Sequence, residues 1–188
     1  IWLGLVGSEM CIRDSADRFN GEAEFETIGE VARSVEIPVI ANGDIDSPQK
    51  AQRILQSTGA GGIMIGRAAQ GNPWIFQDTV HYLEHGRLAP APSVEEVRAR
   101  VLAHLSDLHD FYGTYSGVRI ARKHLGWYTQ NLPGGEHFRR GFNNLEKATD
   151  QRRAIEQFFQ QISASSDRLR IGCYGGVSAR NKDGALAA

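Results

Sequence analysis

Three stretches of this chain carry side chains suited to gripping anions. Asn42-Gly43-Asp44 and Gly66-Arg67 each close a short apolar run and each precede a helix-like pattern. Glycines there let a phosphate oxygen approach backbone N–H groups, and a helix start beyond them adds positive potential. Arg67 adds a permanently charged fork of donors. Either motif alone reads most simply as a turn or a helix entry. Together, one strand-helix unit apart, they point to a phosphate site. The third stretch is Arg119, Arg122 and Lys123, spaced i, i+3 and i+4 and therefore on one helical face. Arg139 and Arg140 lie on the next helix, and Trp127 and Tyr128 offer stacking surface. On pattern alone, such a charge run is an ordinary solvated face.

Other candidates carry less. His81 and His85 stand four apart, but with no HExxH motif and no third ligand they read as solvent-facing, and no metal is expected. His124 falls beside the basic stripe, and Phe158 and Phe159 read as core. Cys11 and Cys173 have no partner spacing, which argues against a disulfide framework or a zinc site and fits a reducing cytosol. No apolar run approaches the roughly 18–20 residues of a membrane span. The 188 residues are 41% hydrophobic and 23% charged, as in a soluble globular chain. A net charge of -1 excludes nucleic-acid binding by bulk charge but not by a local basic patch.

The elements that must position these residues fall into two kinds. Helical spacing runs over Glu24–Ser34, and Ile37–Ala41 is a β-branched run of the sort buried in a parallel sheet. Pro48 opens a helix that Thr58-Gly59-Ala60 breaks. Gly62–Ile65 is a second buried strand, with helix again from Ala68 onward. Strands alternating with helices predict βαβ units and a parallel sheet, which two strands alone cannot complete. Beyond Arg87 the pattern becomes all-helical. A Pro-rich linker over 88–92 leads to Ser93, with Glu96 three residues on, a capping-box signature. A long amphipathic helix follows and stops at Gly113, a second runs from about Gly117 to Gln130, and two more lie around Phe138–Leu145 and Ala148–Ile162. From Ser163 the Ser-, Gly- and charge-rich sequence predicts a disordered tail.

The strings IPVIANGDI (Ile37–Ile45) and MIGRAAQGNPW (Met64–Trp74) resemble the bacterial tRNA-dihydrouridine synthases, closest to the B type. RFNGEAEF (Arg18–Phe25), HDFY (His109–Tyr112), RIARKHLGWY (Arg119–Tyr128) and FRRGFN (Phe138–Asn143) fit the same family in order. The resemblance covers Ala16 to Ile162. It implies an α/β fold, the C-terminal part of a TIM (β/α)8 barrel followed by an all-α helical domain, with FMN as cofactor, NAD(P)H as reductant and uridine in tRNA as substrate. It further implies that Asn42, Gly43, Asp44, Gly66 and Arg67 contact the flavin, mainly its phosphate, and that Arg119, Arg122, Lys123, Arg139 and Arg140 contact tRNA. The family's catalytic Cys, and its flavin-contacting Lys and His, lie upstream of Ala16, so no catalytic residue is expected in this chain.

The resulting division is 1–15 as foreign sequence, 16–87 as the last βα units of the barrel, 93–162 as the tRNA-binding domain and 163–188 as the tail. The first segment is set aside because LGLVGSEMCIRDS resembles translated sequencing adapter. A cytoplasmic, monomeric whole protein is expected. Two other readings remain open on the sequence: a different FMN barrel enzyme related to dihydroorotate dehydrogenase, which would lack residues 93–162, and a stand-alone RNA-binding helical module.

Overall fold

A computed structural model describes residues 23–171. Cys11, Cys173 and the segment expected to be foreign lie outside them. The chain forms two compact units, one holding residues 23–69 and 75–88 and the other residues 70–74 and 89–171.

The first unit is built from βα elements. Helix α1 (Glu26–Ser34) leads to strand β1 (Ile40–Asn42), helix α2 (Pro48–Thr58) and strand β2 (Gly62–Met64). The strands pair in parallel, with Ile40 opposite Gly62, Ala41 opposite Ile63 and Asn42 opposite Met64. Pro48 sits in the first turn of α2, where its missing N–H costs nothing, and Gly59 ends the helix in a left-handed conformation, its N–H donating to the Leu55 carbonyl. Ala41, Ile45, Ala51 and Ile54 form the core, flanked by Phe25, Ile28, Ile63 and Ile65. Strand β1 starts later than its apolar run. Ile37 is 73% exposed and Pro38 has no N–H for a ladder, so pairing begins only at Ile40. The helix expected from Ala68 onward is instead a 3-10 turn, Arg67–Ala69, followed by a loop; the α-helix α3 begins at Trp74, directly after Pro73.

The second unit is helical. Helix α4 (Val94–Thr129) is followed by α5 (Gly135–Phe142) and α6 (Ala148–Ser163). Ser93 caps α4: its hydroxyl accepts from the Glu96 N–H at 3.2 Å, and its own N–H donates to the Glu96 carboxylate at 2.6 Å. Gly113 has φ 74° and ψ 169°, so α4 is two limbs meeting at a break rather than one straight rod. A Cβ on Gly117 would stand 2.7 Å from the Leu108 carbonyl oxygen, so only glycine lets the second limb lie this close to the first. Val97, Val101, Leu105, Ala121, Leu125, Phe142, Ile155 and Phe159 fill the core between the limbs and the two later helices.

The tail corrects the expectation of disorder from Ser163. Ser163 ends α6, and the chain then returns to the linker. The Val94 N–H donates to the Asp167 carbonyl, the Leu169 N–H donates to the Pro92 carbonyl, and Leu169 and Ile171 are buried in the helical core. Residues 172–188 lie outside the described residues.

Candidate functional site

The first candidate lies in the βα unit, where both strands end. Asn42 closes β1, and its side-chain amide donates across to the Met64 carbonyl at 2.9 Å, pinning the two strand ends together. Gly43 follows with φ +140°, and a Cβ there would stand 2.5 Å from the Ala23 Cβ. Asp44 is left-handed, φ +41°, an uncommon conformation for a residue with a side chain. Both its carboxylate oxygens are engaged: one accepts from the Ala23 N–H at 3.1 Å, the other from the Arg67 guanidinium at 2.7 Å. Asp44 therefore ties the loop after β1 to the loop after β2, and the local strain is held by these bonds.

Arg67 stays 55% exposed while making this ion pair. Nothing lies within 4 Å of a Cβ placed on Gly66, so the backbone there is open to an approaching group. The helix start foreseen behind Gly66-Arg67 is absent, because a three-residue 3-10 turn contributes little dipole. Helix α2 begins beyond Asp44, but the Asp46 carboxylate stands at its entrance, accepting from the Ser47 hydroxyl at 3.0 Å. Positive charge at this site therefore comes from Arg67. An open glycine backbone beside an exposed guanidinium suits an anionic group such as a phosphate.

The second candidate lies in the helical unit. The five basic residues singled out from the sequence come together: Arg119, Arg122, Lys123, Arg139 and Arg140 line one open cavity of about 740 Å³, with Trp127, Gln130 and Asn143 among the remaining walls. The packing is close at Gly126, where the Arg139 stem passes 3.3 Å from where a Cβ would be. The five are not equivalent. Arg122 is half-buried and donates to the Leu145 carbonyl at 3.0 Å, bracing the connection between α5 and α6. Arg140 pairs with Glu136 one turn earlier on α5. That hydrogen bond, with the charges of Arg140 and Arg139, holds the Glu136 carboxyl below its ordinary pKa. Arg119 lies 4.2 Å from the Tyr115 ring centroid and Lys123 lies 4.9 Å from that of Trp127.

The aromatic expectations divide. Trp127 lines the cavity, but Tyr128 is only 5% exposed and cannot stack on a ligand. Its hydroxyl meets His104 Nδ1 at 3.1 Å, and burial raises its pKa. His124 packs edge-on against His104 and Trp127; burial first, then the His104 and Lys123 charges, lower its pKa, so it adds no cation to the stripe at neutral pH. His81 and His85 stack at 4.4 Å between centroids, and no group able to hold a metal ion occurs among the described residues. Phe158 and Phe159 are core, as expected. Tyr115, 69% exposed beside Arg119, was not singled out from the sequence; its signal was the four-residue step to Arg119.

The family model of the dihydrouridine synthases (Dus) matches residues 12–163, starting inside the stretch set aside as foreign. The tRNA-dihydrouridine synthase B of Pseudomonas putida KT2440 is 52% identical over 149 residues, covering 79% of this chain and 44% of that protein. That of Pseudomonas syringae pv. tomato is 54% identical over the same length and coverage. That of Escherichia coli K12 is 50% identical over 151 residues, covering 80% of this chain and 47% of that protein. The chain thus spans about half the length of the curated relatives it matches. With a family match over most of its length and relatives at half identity or better, the chain belongs to the dihydrouridine synthase family.

Proposed function

We propose that this chain is the C-terminal part of a flavin-dependent enzyme that reduces uridine in tRNA to 5,6-dihydrouridine. In this reading β1 and β2 are the last two strands of a TIM barrel, and the helical unit is the tRNA-binding domain. The relatives are named as tRNA-dihydrouridine synthases, and both candidate sites have the chemistry such an enzyme requires. FMN, recharged by NAD(P)H, would supply the electrons that saturate the C5–C6 bond of the uracil ring. This chain's share is binding: the open Gly66 backbone and the Arg67 guanidinium take the flavin phosphate, while Asn42, Gly43 and Asp44 shape and brace the facing loop. The groove of Arg119, Arg122, Lys123, Arg139 and Arg140 takes the tRNA backbone. A tRNA substrate and a nicotinamide reductant suit a cytoplasmic, monomeric protein.

The single observation that carries the reading is the convergence of five cations from two helices on one cavity beside Trp127. A merely solvated stripe would follow one helix face and would not recruit a second helix. The dihydroorotate dehydrogenase alternative leaves this helical unit without a purpose. The test is anaerobic oxidation of reduced flavin by tRNA. The complete protein should turn over and the 188-residue chain should not, since general acid catalysis alone is typically worth ~10²–10⁴ in rate. Turnover by the chain alone would show that the division of labour is wrong.

A further inference from the structure

Along the second limb of α4, rings and cations follow one another at four-residue steps: Tyr115, Arg119, Lys123, Trp127. Residues four apart stack along one side of a helix, so these four form a continuous ladder. Each end of the ladder is a ring with a cation over it, Arg119 on Tyr115 at 4.2 Å and Lys123 on Trp127 at 4.9 Å. Tyr115 stands next to the Gly113 break and is 69% exposed, and nearby Phe111 is 80% exposed. The buried face of the same limb is already filled by Val118, Ala121 and Leu125. Tyr115 therefore does nothing for the core, Trp127 is only partly buried, against His124, and phosphate binding accounts for the cations but not for the rings.

We propose that Tyr115 and Trp127 are stacking platforms, so that this face takes RNA in which the nucleotides are unpaired. The inference rests on the RNA reading of the groove and specifies it, naming the state of the strand that crosses it. Bases inside a duplex are covered on both faces by their neighbours, and duplex RNA offers a protein mostly phosphates and 2′-hydroxyls. Only splayed bases can lie on Tyr115 or Trp127, and such stacking is tolerant of sequence. Arg119 and Lys123, set between the rings, neutralise the phosphates linking those bases. The twelve helical steps from Tyr115 to Trp127 rise about 18 Å, room for about five nucleotides at the ~3.4 Å spacing of a stacked strand. At Tyr115, which is largely exposed, the cation on one face also orients the ring without covering its other face.

The experiment uses the 188-residue chain and two fluorescent RNAs of equal phosphate count, one a stem with an unpaired loop and the other a blunt duplex. Wild-type chain should bind the looped RNA more tightly. Tyr115→Leu should weaken looped-RNA binding about tenfold and leave duplex binding within twofold. Tyr115→Phe, which keeps the ring, should restore it. Tyr115 is too exposed for either change to disturb the core, and a thermal melt of each variant verifies this. Equal loss on both RNAs, no loss on either, or failure of the phenylalanine to restore binding would overturn the stacking role. If Arg119→Glu weakens both RNAs while Tyr115→Leu changes neither, stacking falls and the RNA reading survives. If the wild-type chain binds neither RNA, both fall together.

Discussion

Charge reversal at Arg119 and Lys123 separates a nucleic-acid groove from a decorated helix. Among the described residues these two cations contact rings rather than carboxylates, whereas Arg122 is committed to the Leu145 carbonyl and Arg140 to Glu136. Each phosphate contact contributes about 0.7 to the slope of log affinity against log salt for a single strand and about 0.9 for a duplex. Losing two contacts should therefore flatten the slope by about 1.4–1.8, which at ~0.1 M salt is a weakening of roughly 25- to 60-fold. Reversal adds repulsion, so this is a floor. The assay is fluorescence anisotropy with tRNA over a salt series, beside a thermal melt. Arg122→Ala is the control. It removes a charge-assisted bond from α4 to the connection between α5 and α6, so it should cost about 1.5–3 kcal/mol of stability, whatever it does to binding. A well-folded Arg119→Glu, Lys123→Glu double variant with unchanged affinity and slope would refute the reasoning and move the RNA surface elsewhere.

Three further outcomes follow from the geometry. In the complete protein, Arg67→Ala should weaken FMN binding by about 1.5 kcal/mol, the low end for a charged hydrogen bond, because Arg67 is 55% exposed and shares its charge with Asp44; an unchanged flavin titration would make Arg67 purely a loop brace. Ser93→Ala should cost the helical unit about 1 kcal/mol in urea unfolding by removing the cap of α4, and no shift in midpoint would mean that the linker holds the helix start without it. His124 has a lowered pKa in the folded chain, so below its ordinary value near ~6.5 the unfolded chain takes up the proton first. Stability should then fall with pH until the folded ring is also protonated; in His124→Gln this acid-side slope should be shallower, and an identical pH profile would exclude His124 as its source.

Much of the helical unit was legible in the sequence. The Ser93–Glu96 cap, the helix break at Gly113 and the shared face of Arg119, Arg122 and Lys123 follow from local chemistry and helical period, whereas the meeting of these three with Arg139 and Arg140 is set by how two helices pack. Tyr128 was not, because adjacent residues on a helix point about 100° apart and its ring faces inward where that of Trp127 lines the cavity. The tail escaped because Leu169 and Ile171 sit in polar surroundings, and what orders them is pairing with Pro92 and Val94, far away in the chain. Asp44 and Arg67 were both read as ligand contacts. Their ion pair depends on the parallel register that sets Asn42 opposite Met64, which no local pattern encodes.

The two units differ in how far each can do its work alone. A parallel sheet is normally buried on both faces. Here Ile40 is 57% exposed and Met64 is 47% exposed, on strands that have only each other as partners among the described residues. Phe76, Val80 and Leu83 are likewise exposed on α3 at helical spacing, an apolar face with nothing described to cover it. The helical unit has its own contiguous core, from Val94 to Ile171. The geometry of the basic groove is therefore set within the helical unit. That of the strand-end loops rests on two three-residue strands and the Asp44–Arg67 brace. In the function proposed above, RNA affinity can therefore be measured on the chain itself, and flavin affinity belongs to the complete protein.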